Sequence, residues 1–267
     1  MNAIAIGKET IRITKEKAYS FDGTTVQLPD RDYTAVRVIS PAEGEKLLQT
    51  DLAPYRRSSM CRILVTNEGS FGAAARYTKP LVMNFANAHC PGGGFLLGAS
   101  AQEEALCRCS TLYASLTSDA AGEMYRYNNT HISSVESDYM LLSEDVAVFR
   151  DGDCAFLPQP FDVGVVTVPA PNRRGAALFA SARKIEETFL RRIRILLRLA
   201  AVSGYRQLVL GAWGCGAFGN NPEKVSGYFK TALEEEQVGF CFDEVCFAVY
   251  GSETGRNITV FRRTFTE

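Results

Sequence analysis

Residues 92–104 read Gly-Gly-Gly-Phe-Leu-Leu-Gly-Ala-Ser-Ala-Gln-Glu-Glu, so a glycine triplet is followed, after a short spacer, by an amide and two adjacent carboxylates. Gly92, Gly93 and Gly94 remove every Cβ from a turn, which lets the backbone take positive φ and lets a ligand reach main-chain N–H groups. Such a turn suits an anion, phosphate above all. Glu103 and Glu104 bring negative charge to the same neighbourhood, which an anion site alone does not need. A carboxylic acid beside a bound phosphate does fit an enzyme that protonates a leaving group. The two glutamates cannot straddle a glycosidic bond as catalytic pairs usually do, because successive residues of a helix or strand point in different directions. One carboxylate is expected to transfer the proton and the other to bind or orient, and the residues alone do not choose between them. Without the upstream glycines, Gln102-Glu103-Glu104 would read as a solvated acidic helix start.

A second glycine-rich stretch, Gly211-Ala-Trp-Gly-Cys-Gly-Ala-Phe-Gly-Asn220, follows an apolar run ending at Leu210 and precedes Asn221-Pro222 and a helix. A strand-to-helix turn of this kind offers free N–H groups and a helix N-terminus beyond the carboxyl end of a strand. Two such loops in one domain, this one running from Gly211 to Gly219, suit a diphosphate. A tight packing turn is the equal alternative. The spacing is neither a dinucleotide-binding fingerprint nor a Walker loop. Phe218 is placed to stack on a base or ribose, or else to pack inward. Asn84 and Asn87 are amides at a strand terminus, suited to sugar hydroxyls and equally to fixing a turn.

The elements that must position these groups are visible as apolar runs: Ile63–Thr66, Leu81–Phe85, Val146–Phe149, Val163–Val168, Gln207–Leu210 and Val245–Tyr250. Continuous Val, Ile and Leu runs imply strands buried on both faces, hence a parallel or mixed sheet between helices. The clearest helix spans about 176–201, with Ile185, Phe189, Ile193, Leu196, Leu197 and Ala200 on one face. Its basic residues, Arg191, Arg192, Arg194 and Arg198, read as a solvated helix face rather than a nucleic-acid stripe. Residues 1–58 form an accessory extension covering one side of the core, with a hairpin turn at Asp22-Gly23, and residues 59–267 form the catalytic unit.

At 267 residues, 46% hydrophobic and 22% charged, the chain is an ordinary globular protein. The formal net charge of −1 gives no global attraction to nucleic acid or anionic membrane, so a polyanionic substrate must be held by local features. The absence of a long apolar stretch predicts a cytoplasmic protein with neither signal peptide nor membrane span. The eight cysteines are expected as free thiols. Cys107-x-Cys109 is too tight for the usual zinc knuckle, and two histidines, His89 and His131, offer few metal partners.

The segment from Asn84 to Glu104, with its glycine triplet, seven-residue spacer Phe95 to Ala101 and Gln-Glu-Glu, resembles the signature of the poly(ADP-ribose) glycohydrolases. Leu112-Tyr113, Asp138-Tyr-Met, Asp145 to Asp151, Pro169-Ala-Pro-Asn172 and Gly211 to Asn220 are similar to the compact bacterial-type branch. The likeness runs from about residue 8 through nearly the whole chain.

What the resemblance implies is a macrodomain-like three-layer α/β/α fold with a mixed central sheet and an N-terminal extension. It implies Glu104 as the catalytic acid/base, with Glu103 and Asn87 holding the ribose at the scissile bond. Gly92 to Gly94 and Gly214 to Phe218 would enclose the diphosphate and distal ribose, with Gln102 and Gly219 also in the site. The expected ligand is poly(ADP-ribose) or ADP-ribose, carried on poly(ADP-ribosyl)ated proteins, cleaved from the chain end without metal or cofactor. Two rival readings are a non-catalytic ADP-ribose reader, against which Gln-Glu-Glu argues, and a hydrolase of singly modified targets.

Overall fold

The computed structural model describes residues 2–266. Helix α1 (Ala3–Glu16) is capped by Asn2, whose side chain accepts the Ala5 N–H at 2.8 Å. Strands β1 (Ala18–Phe21) and β2 (Thr24–Gln27) pair across Asp22 and Gly23, with φ of 48° and 75°, the two positive values that a tight two-residue hairpin needs. There follow β3 (Arg37–Ile39), α2 (Pro41–Leu48), β4 (Arg62–Thr66), α3 (Ser70–Ala74), β5 (Leu81–Ala86), α4 (Gln102–Cys109), α5 (Leu112–Leu116) and α6 (Gly122–Thr130). The chain continues through β6 (Met140–Arg150), β7 (Phe156–Pro169), α7 (Ala182–Val202), β8 (Gln207–Leu210), α8 (Pro222–Lys230), β9 (Glu244–Ala248) and α9 (Arg256–Thr266).

Seven strands form one sheet in the order β3-β6-β7-β5-β8-β9-β4. The β3–β6 and β6–β7 pairs are antiparallel, while β7, β5, β8, β9 and β4 run parallel. Alternate residues of the apolar strands serve opposite cores, which is why the runs are continuous rather than alternating. Leu81, Met83, Val166 and Leu208 pack with Phe189, Ile193 and Leu197 of α7 and Phe229 of α8. Val82, Val165 and Val209 pack with Leu106 of α4, Leu112 of α5 and Met124 of α6. Helix, sheet and helix make three layers, the macrodomain-like architecture expected.

The segment before residue 58 divides into two parts. α1 and the hairpin build a small core of Ile13, Tyr19, Leu28 and Tyr33 against Ala147 and Phe149 of β6. β3, by contrast, is the edge strand of the main sheet, and α2 packs on α7, where a Cβ on Gly44 would stand 3.0 Å from Ile195.

Two expectations about the long helix need correction. α7 begins at Ala182 rather than near 176, because Ser181 Oγ accepts the Lys184 N–H at 3.2 Å as an N-cap, and Ala176–Phe179 form a separate 3-10 turn. Its arginines are not a solvated face. Arg192 is fully buried, donating to Asp138 Oδ1 at 2.8 Å, the Pro169 carbonyl at 2.9 Å and the Val135 carbonyl at 2.6 Å. Arg191 also reaches Asp138, and Arg194 pairs with Glu236. Burying a guanidinium without partners is costly, and at Arg192 these acceptors offset that cost, whereas Arg198 keeps Nε and Nη1 buried without a hydrogen-bond partner among the described residues.

Candidate active site

Three loops leave the carboxyl ends of the neighbouring parallel strands β7, β5 and β8, so residues 87–101, 170–181 and 211–221 share one edge of the sheet. The first loop returns as α4, and Gln102 at the start of that helix is fastened to the flank of β5. Gln102 Oε1 accepts the Phe85 N–H at 2.9 Å, while its Nε2 donates to the Met83 carbonyl at 2.8 Å and to Ser70 Oγ at 3.1 Å. Expected as a substrate-binding residue, Gln102 instead has its amide committed to protein and acts as a staple between helix and sheet.

That staple sets the rotation of α4 and carries Glu103 and Glu104 into the interior, 3% and 7% exposed. Glu103 has both carboxylate oxygens occupied: Oε1 accepts from Asn84 Nδ2 at 3.2 Å and Oε2 from the Asn87 N–H at 2.8 Å. Burial pushes its carboxyl up to about 7, outweighing the donors at Asn87 and Asn84 that favour the charged form. Glu104 differs. Its Oε1 accepts the Gly94 N–H at 2.8 Å, but its buried Oε2 has no hydrogen-bond partner among the described residues. An unsatisfied buried carboxylate oxygen is costly and calls for a functional reason.

The glycine triplet is moulded around these carboxylates. Gly92 and Gly93 take φ of 68° and 56°. A Cβ on Gly93 would lie 2.4 Å from Glu104 Oε1 and 3.2 Å from Glu103 Oε2, and one on Gly92 would lie 2.8 Å from the Tyr113 ring. A Cβ on Gly94 would lie 2.7 Å from Ala99. Asn87 Oδ1 accepts the N–H groups of His89 and Cys90 at 2.8 and 3.0 Å and so turns the chain into the triplet.

In the second loop, Gly211 packs tightly, since a Cβ would meet the Ala248 carbonyl at 2.7 Å and Phe85 at 2.9 Å. Gly214 and Gly219 take φ of 71° and 70°. Asn220 closes the loop by donating to the carbonyls of Pro171 at 2.8 Å and Gly214 at 3.1 Å, and the Arg173 N–H donates to the Phe218 carbonyl at 3.0 Å. Gly216 and Ala217 are exposed, and a Cβ on Gly216 would meet nothing within 4 Å. Cys215 and Phe218 are half-buried against the α7 core, so Phe218 is partly the packing residue that its type also allowed.

A family model for the microbial-type PARG catalytic domain matches residues 7–151. The poly(ADP-ribose) glycohydrolase of Thermomonospora curvata shares 35% identity over 98% of this chain and 99% of its own, with a TM-score of 0.91. The chain belongs to the microbial-type poly(ADP-ribose) glycohydrolases. The Thermomonospora enzyme bound to the inhibitor ADP-HPD gives a TM-score of 0.87 at 34% identity over 98% and 99% of the chains. The Deinococcus radiodurans enzyme in complex with ADP-ribose gives 0.82 at 36% identity over 90% and 98%. No curated protein matches the chain.

In this glycohydrolase two supporting residues were not singled out from the sequence for the part they play. Asn84 is fully buried and bridges Glu103 and Thr167, whose Oγ1 accepts from its Nδ2 at 3.2 Å. The available signal was polarity itself, an Asn and a Thr inside runs otherwise composed of Leu, Val, Met, Phe and one Gly. Tyr113, against Gly92, likewise belongs to the wall of the site. A groove of about 450 Å³ lined by Lys79, Asp145, Tyr205 and Arg206 lies at the opposite ends of β5 and β8, away from the glutamates. Among the described residues no helix is long and apolar enough to cross a membrane.

Proposed function

We propose that this poly(ADP-ribose) glycohydrolase cleaves the ribose–ribose O-glycosidic bond by acid catalysis from Glu104, removing units from the chain end and releasing ADP-ribose. The observation that carries the reading is the asymmetry of the two glutamates. Glu103 has both oxygens tied down, whereas Glu104 keeps one buried oxygen without a protein partner. A group that moves a proton needs such an oxygen, and a group that orients needs the opposite.

Glu104 in its acid form protonates the departing ribose hydroxyl oxygen, the anomeric C–O bond breaks and an oxocarbenium-like ribosyl develops. The resulting carboxylate takes a proton from the water that attacks the anomeric carbon, which restores the acid. Glu103, steadied by Asn84 and the Asn87 N–H, holds the ribose, and the Asn87 amide adds a contact. The exposed backbone at Gly216 and Ala217, with the half-buried Phe218 beside it, borders the diphosphate and distal ribose. Its polymer reaches it on poly(ADP-ribosyl)ated proteins.

Glu104→Gln keeps shape and removes the proton. Hydrolysis of polymer by this variant is expected to fall about a thousandfold or more, with ADP-ribose affinity, measured by calorimetry, within about tenfold, or about 1.4 kcal/mol. Glu103→Gln should lose activity with a larger share appearing as weakened binding. Near wild-type turnover in Glu104→Gln would transfer the acid role elsewhere and reopen the reader-module alternative. The reaction uses no metal, because glycoside cleavage proceeds by carboxylic acid catalysis alone. Full activity should persist in excess chelator, and loss with rescue by a divalent cation would overturn that part. Release of free ADP-ribose from polymer, compared with singly modified protein, separates the proposed substrate from its rival.

A further inference from the structure

Helix α4 carries the glutamates at one end and, at the other, a cysteine that meets a second one distant in sequence. Cys109 is the last residue of α4 and is 4% exposed. Its Sγ donates to the Asp151 carbonyl at 3.1 Å. The Cys154 N–H reaches that same carbonyl at 3.0 Å, in the turn joining β6 to β7. One oxygen thus gathers both residues, and each cysteine lies near enough to shift the titration of the other. Cys154 is half-exposed and held at φ of 64°, a strained value for a residue with a side chain. We propose that Cys154 and Cys109 form a peroxide-reactive thiol pair, a modification site in which Cys154 is attacked first and Cys109 closes the disulfide.

The surroundings supply what such chemistry needs. The neighbouring Cys109 thiol holds the Cys154 thiol below its ordinary value; burial opposes it, and the guanidinium groups of Arg108 and Arg150 add to it against the Asp151 carboxylate. The same pairing, with burial, raises Cys109, which therefore stays protonated until its turn comes. In the first step the Cys154 thiolate attacks one oxygen of hydrogen peroxide, the O–O bond breaks, and sulfenic acid and hydroxide form, the latter taking a proton to become water. In the second, Cys109 sulfur attacks the sulfenic sulfur, hydroxide leaves and collects the Cys109 proton as water. Two thiols and one peroxide give one disulfide and two waters. The remaining six cysteines do not share this arrangement: Cys90 is exposed with Sγ near the Gly93 carbonyl, and Cys107 is enclosed beside the glutamates.

The test uses the reduced full chain at neutral pH, treated with limiting hydrogen peroxide, alkylated and mapped by peptide mass spectrometry. A Cys109–Cys154 linked peptide, lost on dithiothreitol treatment, should be the first product. Before oxidation, iodoacetamide should modify Cys154 about tenfold or more faster than Cys90. In Cys154→Ser the linked peptide disappears and Cys109 stays reduced. In Cys109→Ser, Cys154 should run on to sulfinic acid for want of its resolving partner. Oxidation of Cys90 ahead of Cys154, or sulfinic acid at Cys154 in the wild type without any link to Cys109, would overturn the proposal. Because Cys154 lies at the surface of a turn, Cys154→Ser keeps the test decisive even where the buried Cys109 variant fails to fold.

Discussion

A side-chain carbon on Gly93 would stand 2.4 Å from Glu104 Oε1, whereas one on Gly216 would meet nothing within 4 Å. The two glycine-rich loops leave adjacent strands at the same edge of the sheet, and by sequence they suit the same task of bringing backbone close to phosphate. Their surroundings separate them. The first loop needs its glycines because protein already fills the space where side chains would go: the two carboxylates at Gly93, the Tyr113 ring at Gly92 and Ala99 at Gly94. The second needs Gly211 and Gly214 for packing and Gly214 and Gly219 for their left-handed φ, but it leaves Gly216 open to whatever approaches. A glycine run therefore indicates crowding as readily as access, and only the neighbouring atoms distinguish the two.

The largest effect that tests this contrast concerns the carboxylate enclosed by the first loop. Glu103, raised to about 7 by burial, keeps its proton in the folded protein at pH values where the unfolded chain, near 4.5, has released it. Its contribution to stability is thus full below about 4.5 and is lost as pH rises through 7, about 3 kcal/mol in all. Urea denaturation of wild type and Glu103→Gln across pH 4.5 to 8.5 should show the wild type losing ground on the variant by about that amount. Parallel curves would mean that the first loop does not isolate its carboxylates as described.

Gly93→Ala comes next, since a methyl group would displace Glu104 and the left-handed φ adds about 1–2 kcal/mol of strain. Hydrolysis should fall about a hundredfold, a scale set by the sensitivity of catalysis to small displacements. ADP-ribose binding should suffer less. Gly216→Val should be the mildest of the three, leaving the thermal midpoint unchanged and lowering ADP-ribose affinity about tenfold, or about 1.4 kcal/mol. A Gly216→Val protein with unaltered affinity would remove the second loop from the ligand, and a Gly93→Ala enzyme with normal turnover would remove the contrast itself.

Local pattern made much of this legible. β8 was readable to the residue from Gln207–Leu210, the hairpin from Asp22-Gly23, and the inward face of α7 from its spacing, because period and turn chemistry are properties of neighbours in sequence. The signature likewise led to Glu103 and Glu104. What stayed hidden depends on partners far along the chain. The 19-residue separation between Asn84 and Glu103, and the 83 between Asn84 and Thr167, close only when the sheet is assembled. Arg192 looked like solvent-facing charge because nothing local announces that Asp138 and three carbonyl oxygens of other segments surround it. The different parts of the two glutamates could not be read from adjacent identical residues, since only the donors around them differ.

The staple made by Gln102 has one more consequence. With α4 pinned to β5 at its first residue and the triplet pinned to Glu104 through the Gly94 N–H, the intervening stretch from Phe95 to Ala101 is anchored at both ends, with Phe95 buried against Tyr113 and the Ala99 carbonyl accepting from Arg108 at 2.7 Å. Leu97 in its middle is 84% exposed. Leu96 and Leu97 thus form a rim whose side chains meet solvent while the reacting atoms keep their places, so a substitution there changes what the mouth of the site presents outward rather than the reaction within it.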